Sequence, residues 1–183
     1  MLEHSPIHIL VNNTGGPAPG NILKEQPEKF VQAFQQHLLA AQIVSTLVIP
    51  GMKQAGYGRI LNIIATSVRQ PIAILAVSNT IRGAMASWGK TLSLELAADG
   101  ITVNNVLPGS IYTSRIYSIM NQQMEATGKS KEEIVKNFES AIPMGRLGVA
   151  EEFGSMMAFL ASPSASYVTG ATIPVDGGKI KSI

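Results

Sequence analysis

The chain has 183 residues, 14 Lys and Arg against 12 Asp and Glu, a formal net charge of +2, and no cysteine. That length suits one domain with a real core, and the missing thiols exclude cysteine nucleophiles, disulfides and cysteine metal sites. Hydrophobic residues reach 45% against 14% charged, the basic residues form no run that would mark a nucleic-acid partner, and His4, His8, His37 and the carboxylates show no metal-ligand spacing.

IHILV (7–11) is a short apolar run rich in β-formers, broken sharply by NNTGGPAPG (12–20). Residues 25–56 read as a long helix with Phe30, Phe34, Leu38, Val44, Leu47 and Val48 at helical spacing, its end loosened by Pro50-Gly51. GRILNIIA (58–65) reads as a buried strand followed by the loop TSVRQPIA. Residues 78–98 form a second long helix with Ile81, Met85, Trp88 and Leu92 on one stripe. ITVNNVLPG (101–109) is a third strand that stops at a Pro-Gly turn. A polar segment, 114–142, carries a helical pattern at KSKEEIVKNFES, then a helix at 150–162 and a closing strand and turn at 170–178. No uninterrupted apolar run reaches the roughly 18 residues needed to cross a bilayer. The N-terminal residues lack the basic region of a signal peptide, so no membrane partner and a cytoplasmic location are expected.

Continuous apolar strands alternating with helices imply an α/β fold, a parallel sheet with helices on both faces. Ligands on such sheets sit beyond the carboxyl ends of the strands. Here those ends are NNTGG, the loop after Ala65, and PGSIYT, three edges that converge on one crevice.

Five motifs follow one another: Asn12-Asn13-Thr14-Gly15, Gly58-Arg59-Ile60, Leu107-Pro108-Gly109-Ser110-Ile111-Tyr112-Thr113, Pro143-Met144-Gly145-Arg146-Leu147-Gly148, and Val175-Asp176-Gly177-Gly178. In this order they resemble the landmarks of the short-chain dehydrogenase/reductase family, particularly its 3-oxoacyl-acyl-carrier-protein reductase type. The resemblance covers essentially the whole chain. It implies a Rossmann-like doubly wound parallel sheet, of which residues 1–183 form a single truncated domain: the C-terminal part, about four strands with flanking helices. It also implies an oxidoreductase acting on a small carbonyl or hydroxyl substrate with NAD(P). Cofactor contacts would fall on Asn13, Gly15, Arg82, Pro108, Gly109, Ile111 and Thr113. The family's pairing of helices matching 28–52 and 78–98 implies a homo-oligomer.

Two departures from the pattern bear on activity. The family's glycine-rich dinucleotide turn is absent from this chain, which reads as beginning just before the family's fourth strand. A chain without that turn is expected to bind the dinucleotide weakly or not at all, because the turn and its helix N-terminus hold the pyrophosphate. The catalytic positions also differ. The family's lysine falls on Arg82, its tyrosine on Ser78, its serine on Ala65 beside Thr66 and Ser67, and its helix asparagine on His37. The candidate catalytic residues are therefore Ser78, Arg82 and Ser67, in degenerate positions.

A tyrosine near pKa 10 can be drawn toward neutrality by a neighbouring cation; a serine hydroxyl starts several units higher, at about 1.4 kcal/mol per unit. Arg82 can still grip a carboxylate or ribose hydroxyls, and Tyr112 or Tyr117 offers an alternative donor. Blander roles stand beside these: Ser78 capping the helix, Asn13 and Gly15 shaping a turn, His37 a satisfied helix polar group, Ser67 a loop hydroxyl. Trp88 and Met85 read as packing and Glu95 as a solvated helix position. The chain is thus either an atypical oxidoreductase or a non-catalytic homologue acting as a binding or assembly subunit, or the product of a truncated gene.

Overall fold

The computed structural model describes residues 6–182; the expectation about a leader rests in part on residues outside that range. Four strands, β1 (Ile9–Asn12), β2 (Gly58–Ile63), β3 (Ile101–Pro108) and β4 (Thr172–Val175), form one sheet in the order β1-β2-β3-β4, every neighbouring pair parallel. A parallel pair needs a crossover, and here helices supply each one. They are α1 (Pro27–Phe34) and α2 (Ala40–Ala55), joined through a π turn at Gln35–Leu39, then α3 (Ala76–Leu96), α4 (Ser114–Thr127), α5 (Lys131–Ser140) and α6 (Ala150–Ala161).

Strands β2 and β3 are buried along all but their last residues, Ile63 and Pro108, because both sheet faces are covered. Ile60 and Val103 pack with Val48 and Met52 of α2 and Leu96 of α3. On the opposite face Leu61 and Val106 pack with Leu160 of α6 and Ala165. A separate cluster of Ile116, Met120, Ile134, Ile142 and Leu147 ties α4 and α5 into a small lobe. β1 is an edge strand whose Ile9 and Val11 are exposed.

The 27–55 helix departs from its expected facing. Phe34, Val44 and Leu47 are exposed, and the buried stripe is Ala33, His37, Ala41, Ser45, Val48 and Met52. Small residues at this stripe let the backbone approach its neighbours closely. Steps of four drift by about 40° each on a regular α-helix, and the single wider π turn at 35–39 keeps His37 on the inner face. Pro50 does not loosen the end; the helix runs through it to Ala55, where Gly56 closes it in the left-handed conformation. Although no uninterrupted apolar run spans a bilayer, the 29-residue helix Pro27–Ala55 is long and apolar enough overall to do so by length and composition. In this fold it lies against α3 and β2 instead.

A polar ladder crosses the sheet inside this core. Asn12, Asn62 and Asn105 are register partners on adjacent strands. The Asn12 amide donates to Asn62 Oδ1 (2.9 Å), the Asn62 amide to Asn105 Oδ1 (3.0 Å), and the Asn105 amide to the Ala86 carbonyl of α3. Gly89 makes room for it: a Cβ there would stand 2.6 Å from Asn105 Oδ1. Because a one-residue slip would strand buried amides without partners, the ladder fixes the strand register, and with it the alignment of the strand ends.

Candidate active-site cleft

The carboxyl ends of β1, β2 and β3 open onto two adjoining clefts. The larger, about 400 Å³, is lined by Asn13, Ile63, Pro108, Gly109, Ile111, Thr113 and the first turn of α4. The smaller, about 220 Å³, is lined by Asn12, Asn13, Thr14, His37, Arg82 and Met85. Asn13 and Ile63 form the wall that the two share. Further out, the loops 20–24 and 71–76 enclose an open apolar groove that includes Ile22, Leu23, Ile72 and Ile74. Ile74 has a φ of 60°, a costly conformation for a β-branched residue, and its carbonyl accepts from Gly20 N at 2.6 Å, which joins the two loops.

Of the residues expected to touch a cofactor, Asn13, Pro108, Gly109, Ile111 and Thr113 meet in the larger cleft. Gly15 and Arg82 do not line it. Gly15 does not need a positive φ, contrary to the turn reading, and a Cβ on it would meet nothing within 4 Å. The Asn12 side chain hydrogen-bonds across the sheet to Asn62, within the strand before the turn.

Arg82 is 7% exposed, and its hydrogen bonds go to the main chain. Nη1 donates to the Ile63 carbonyl at 2.8 Å and Nη2 to the Thr14 carbonyl at 3.1 Å. One planar fork thus joins the loop leaving β1 to the last residue of β2. Burial lowers the guanidinium pKa from its usual value, but an arginine stays charged in a protein.

His37 sits beside it, 2% exposed, with Nδ1 hydrogen-bonded to the Thr14 hydroxyl and Nε2 without a partner among the described residues. It is therefore a half-satisfied buried group, not the ordinary helix polar residue expected from the sequence. Burial, together with the Arg82 charge, brings its pKa down to about 4. At neutral pH it is an uncharged imidazole and no acid.

The remaining candidates stand apart. Ser78 does not cap α3; the N-cap position is Leu75, and Ser78 lies two residues inside the helix, half-buried and outside both clefts. Ala65 is extended, and Ser67, in the short turn after it, is 2% exposed with its hydroxyl unpartnered among the described residues, a loop hydroxyl that is turned inward. Tyr112 and Tyr117 lie with ring centroids 6.0 Å apart, and neither lines the clefts. Met85 is buried, whereas Trp88 is half-buried with its Nε1 donating to Gln42. Glu95 is exposed, as read. Arg115, on the first turn of α4, lines the larger cleft and was not singled out by any motif; its position two residues after Thr113 was the available signal.

The family model described as enoyl-(acyl carrier protein) reductase matches residues 2–179. The chain belongs to the short-chain dehydrogenase/reductase family. It is 35% identical over 181 residues to the NADPH-dependent reductase BacG of Bacillus subtilis, covering 97% of this chain and 68% of that protein. It is 37% identical to the 2,3-dihydroxy-2,3-dihydro-p-cumate dehydrogenase of Pseudomonas putida, covering 94% of this chain and 63% of that one. The crystal structure of L-sorbose reductase from Gluconobacter frateurii, complexed with NADPH and L-sorbose, superposes with a TM-score of 0.93 at 27% identity, over 100% of this chain and 70% of that one. The chain therefore spans about two thirds of the length of these short-chain dehydrogenase/reductase relatives.

The folded pKa of His37 lies below the value of about 6.5 for an unfolded chain, so the folded state binds fewer protons. Its contribution to stability is complete above about pH 6.5 and is lost as pH falls toward 4, by at most about 3 kcal/mol. Urea unfolding across pH 7.5 to 4 is expected to show this decline in the native chain and a flatter profile in His37→Gln. Parallel profiles would show that His37 is not the titrating group.

Proposed function

We propose that the chain provides the nicotinamide- and substrate-facing part of a short-chain-type oxidoreductase acting on a small carbonyl or hydroxyl compound. The observation that carries this reading is the larger cleft. Asn13, Pro108, Gly109, Ile111 and Thr113, drawn from separate strand ends, converge there around an apolar volume suited to a planar ring. Asn13 offers a polar group at its rim for an amide or hydroxyl, beside Thr113, whose hydroxyl caps α4. When bound, NAD(P) supplies or accepts the hydride. The reductase and dehydrogenase relatives, and the NADPH in the L-sorbose reductase complex, support that cofactor choice.

The proton must then come from a group other than Ser78, whose hydroxyl is intrinsically a poor acid and lies outside the clefts. His37, neutral and low in pKa, does not replace it. We assign Arg82 a positioning role: by joining Thr14 to Ile63 it holds Asn13 in the wall between the two clefts. The second reading, a binding or assembly subunit without turnover, is favoured by that same commitment of Arg82 to main-chain carbonyls.

Consumption of NADPH by the purified chain, measured with a panel of small ketones, separates the two. The oxidoreductase reading expects substrate-dependent oxidation that changes less than about threefold in Ser78→Ala. A loss of about a hundredfold or more, the scale of a missing general acid, would show that Ser78 is the proton donor. No oxidation with any ketone, at NADPH concentrations raised until the cofactor is seen to bind, would favour the binding subunit.

Val31, Ile43, Val44 and Leu47 leave an exposed apolar face along the 27–55 helix, which supports association between copies of the chain. Sedimentation equilibrium at tens of micromolar is expected to give a homo-oligomer, and a single monomeric species would contradict it.

A further inference from the structure

We propose that Arg115 makes the larger cleft a receptor for a carboxylate carried on an apolar body; this deepens the oxidoreductase reading by naming a class of substrate. The lining of the cleft is predominantly apolar, with Ile63, Ile111, Ile116, Ile119 and Phe153 among its walls, and Arg115 is its one charged residue. No salt bridge or side-chain hydrogen bond holds this guanidinium among the described residues, in contrast to the other arginines at the strand ends and beside the cleft. Arg82 is committed to two carbonyls, and Arg146, in the loop before α6, is paired with Glu152 at 2.6 Å. Arg115 lines the cleft from its α4 side. Its Nη2 lies 3.9 Å from where a Cβ on Gly16 would stand, so the guanidinium spans from α4 to the loop that leaves β1.

A lone cation over an apolar cleft selects for a ligand with the complementary division, an anionic end at the mouth and an apolar body inside. A planar guanidinium binds a carboxylate through two parallel hydrogen bonds, a geometry that a lysine cannot reproduce. The phosphate of a nucleotide offers the same charge at the same place. The experiment therefore carries both anions.

The native chain and the variants Arg115→Gln and Arg115→Lys would be titrated at physiological salt with 3-phenylpropionate, its neutral amide and nicotinamide mononucleotide, following backbone amide signals of residues 109–116 by NMR. Arg115 is exposed, so the variants are expected to keep the native spectrum elsewhere. The proposal expects saturable binding of 3-phenylpropionate, at least tenfold weaker binding of the amide, loss of that preference in Arg115→Gln and partial retention in Arg115→Lys. Equal binding of acid and amide, undiminished acid binding in Arg115→Gln, or no saturable binding of the acid would overturn it. A loss in Arg115→Gln confined to the mononucleotide would also overturn it, by assigning Arg115 to the cofactor phosphate. These readouts need no turnover, so absent NADPH oxidation with preserved acid recognition would count against the oxidoreductase reading and not against Arg115.

Discussion

The guanidinium of Arg82 is the interaction on which the arrangement of the clefts depends. In a parallel sheet the last carbonyls of each strand point out of the ladder and need partners, and a buried carbonyl without one costs about 1–3 kcal/mol. Arg82 reaches from α3 to satisfy two of them, on the loop after β1 and at the end of β2. Charge-assisted bonds of this kind are roughly twice as strong as neutral ones. The result is a wall, Asn13 and Ile63, with the larger apolar cleft on one side and, on the other, the smaller cleft that holds His37 and Arg82. At the opposite end of β2, Arg59 works in the same way, donating to the carbonyls of Gly58, Gly100 and Ser162. Two buried arginines thus hold the two ends of one central strand.

Polar groups buried around this wall reinforce one another. The ladder of Asn12, Asn62 and Asn105 sets the register, and register fixes which residues reach the strand ends. The π turn brings His37 inward to meet the Thr14 hydroxyl, while Arg82 holds the Thr14 carbonyl. A positive neighbour and a desolvated ring together favour neutral imidazole, so the site carries a single positive charge at neutral pH. No carboxylate lines the smaller cleft among the described residues, and the Arg82 charge rests against the Ile63 and Thr14 carbonyl dipoles.

The order of strands and helices was legible in the sequence because apolar runs and helical periodicity report burial directly. IHILV, GRILNIIA and ITVNNVLPG each contain a strand within a few residues of the expected bounds. Convergence of Asn13 with the Pro108-to-Thr113 segment followed from strand order alone. What periodicity could not reveal was which polar side chains turn inward. The first half of the buried stripe of the 27–55 helix consists of alanines, a serine and a histidine, and only Val48 and Met52 add large apolar side chains to it, so the larger Phe34, Val44 and Leu47 drew the wrong face. The π turn leaves no compositional trace, and the burial of Ser67 depends on how the loop after β2 folds back. Arg82 was read as a ligand-binding group because the sequence cannot display main-chain carbonyls as its partners.

Hydrogen exchange of Arg82→Lys tests this account most directly. A lysine keeps the charge but cannot bridge both carbonyls with one planar group. If Arg82 is the clip, amides in 13–16 and 64–67 will exchange at least tenfold faster than in the native chain, while the interiors of β2 and β3 stay protected. Unchanged exchange at both loops, together with weakened binding of nicotinamide mononucleotide, would show instead that Arg82 serves the ligand and not the strand ends.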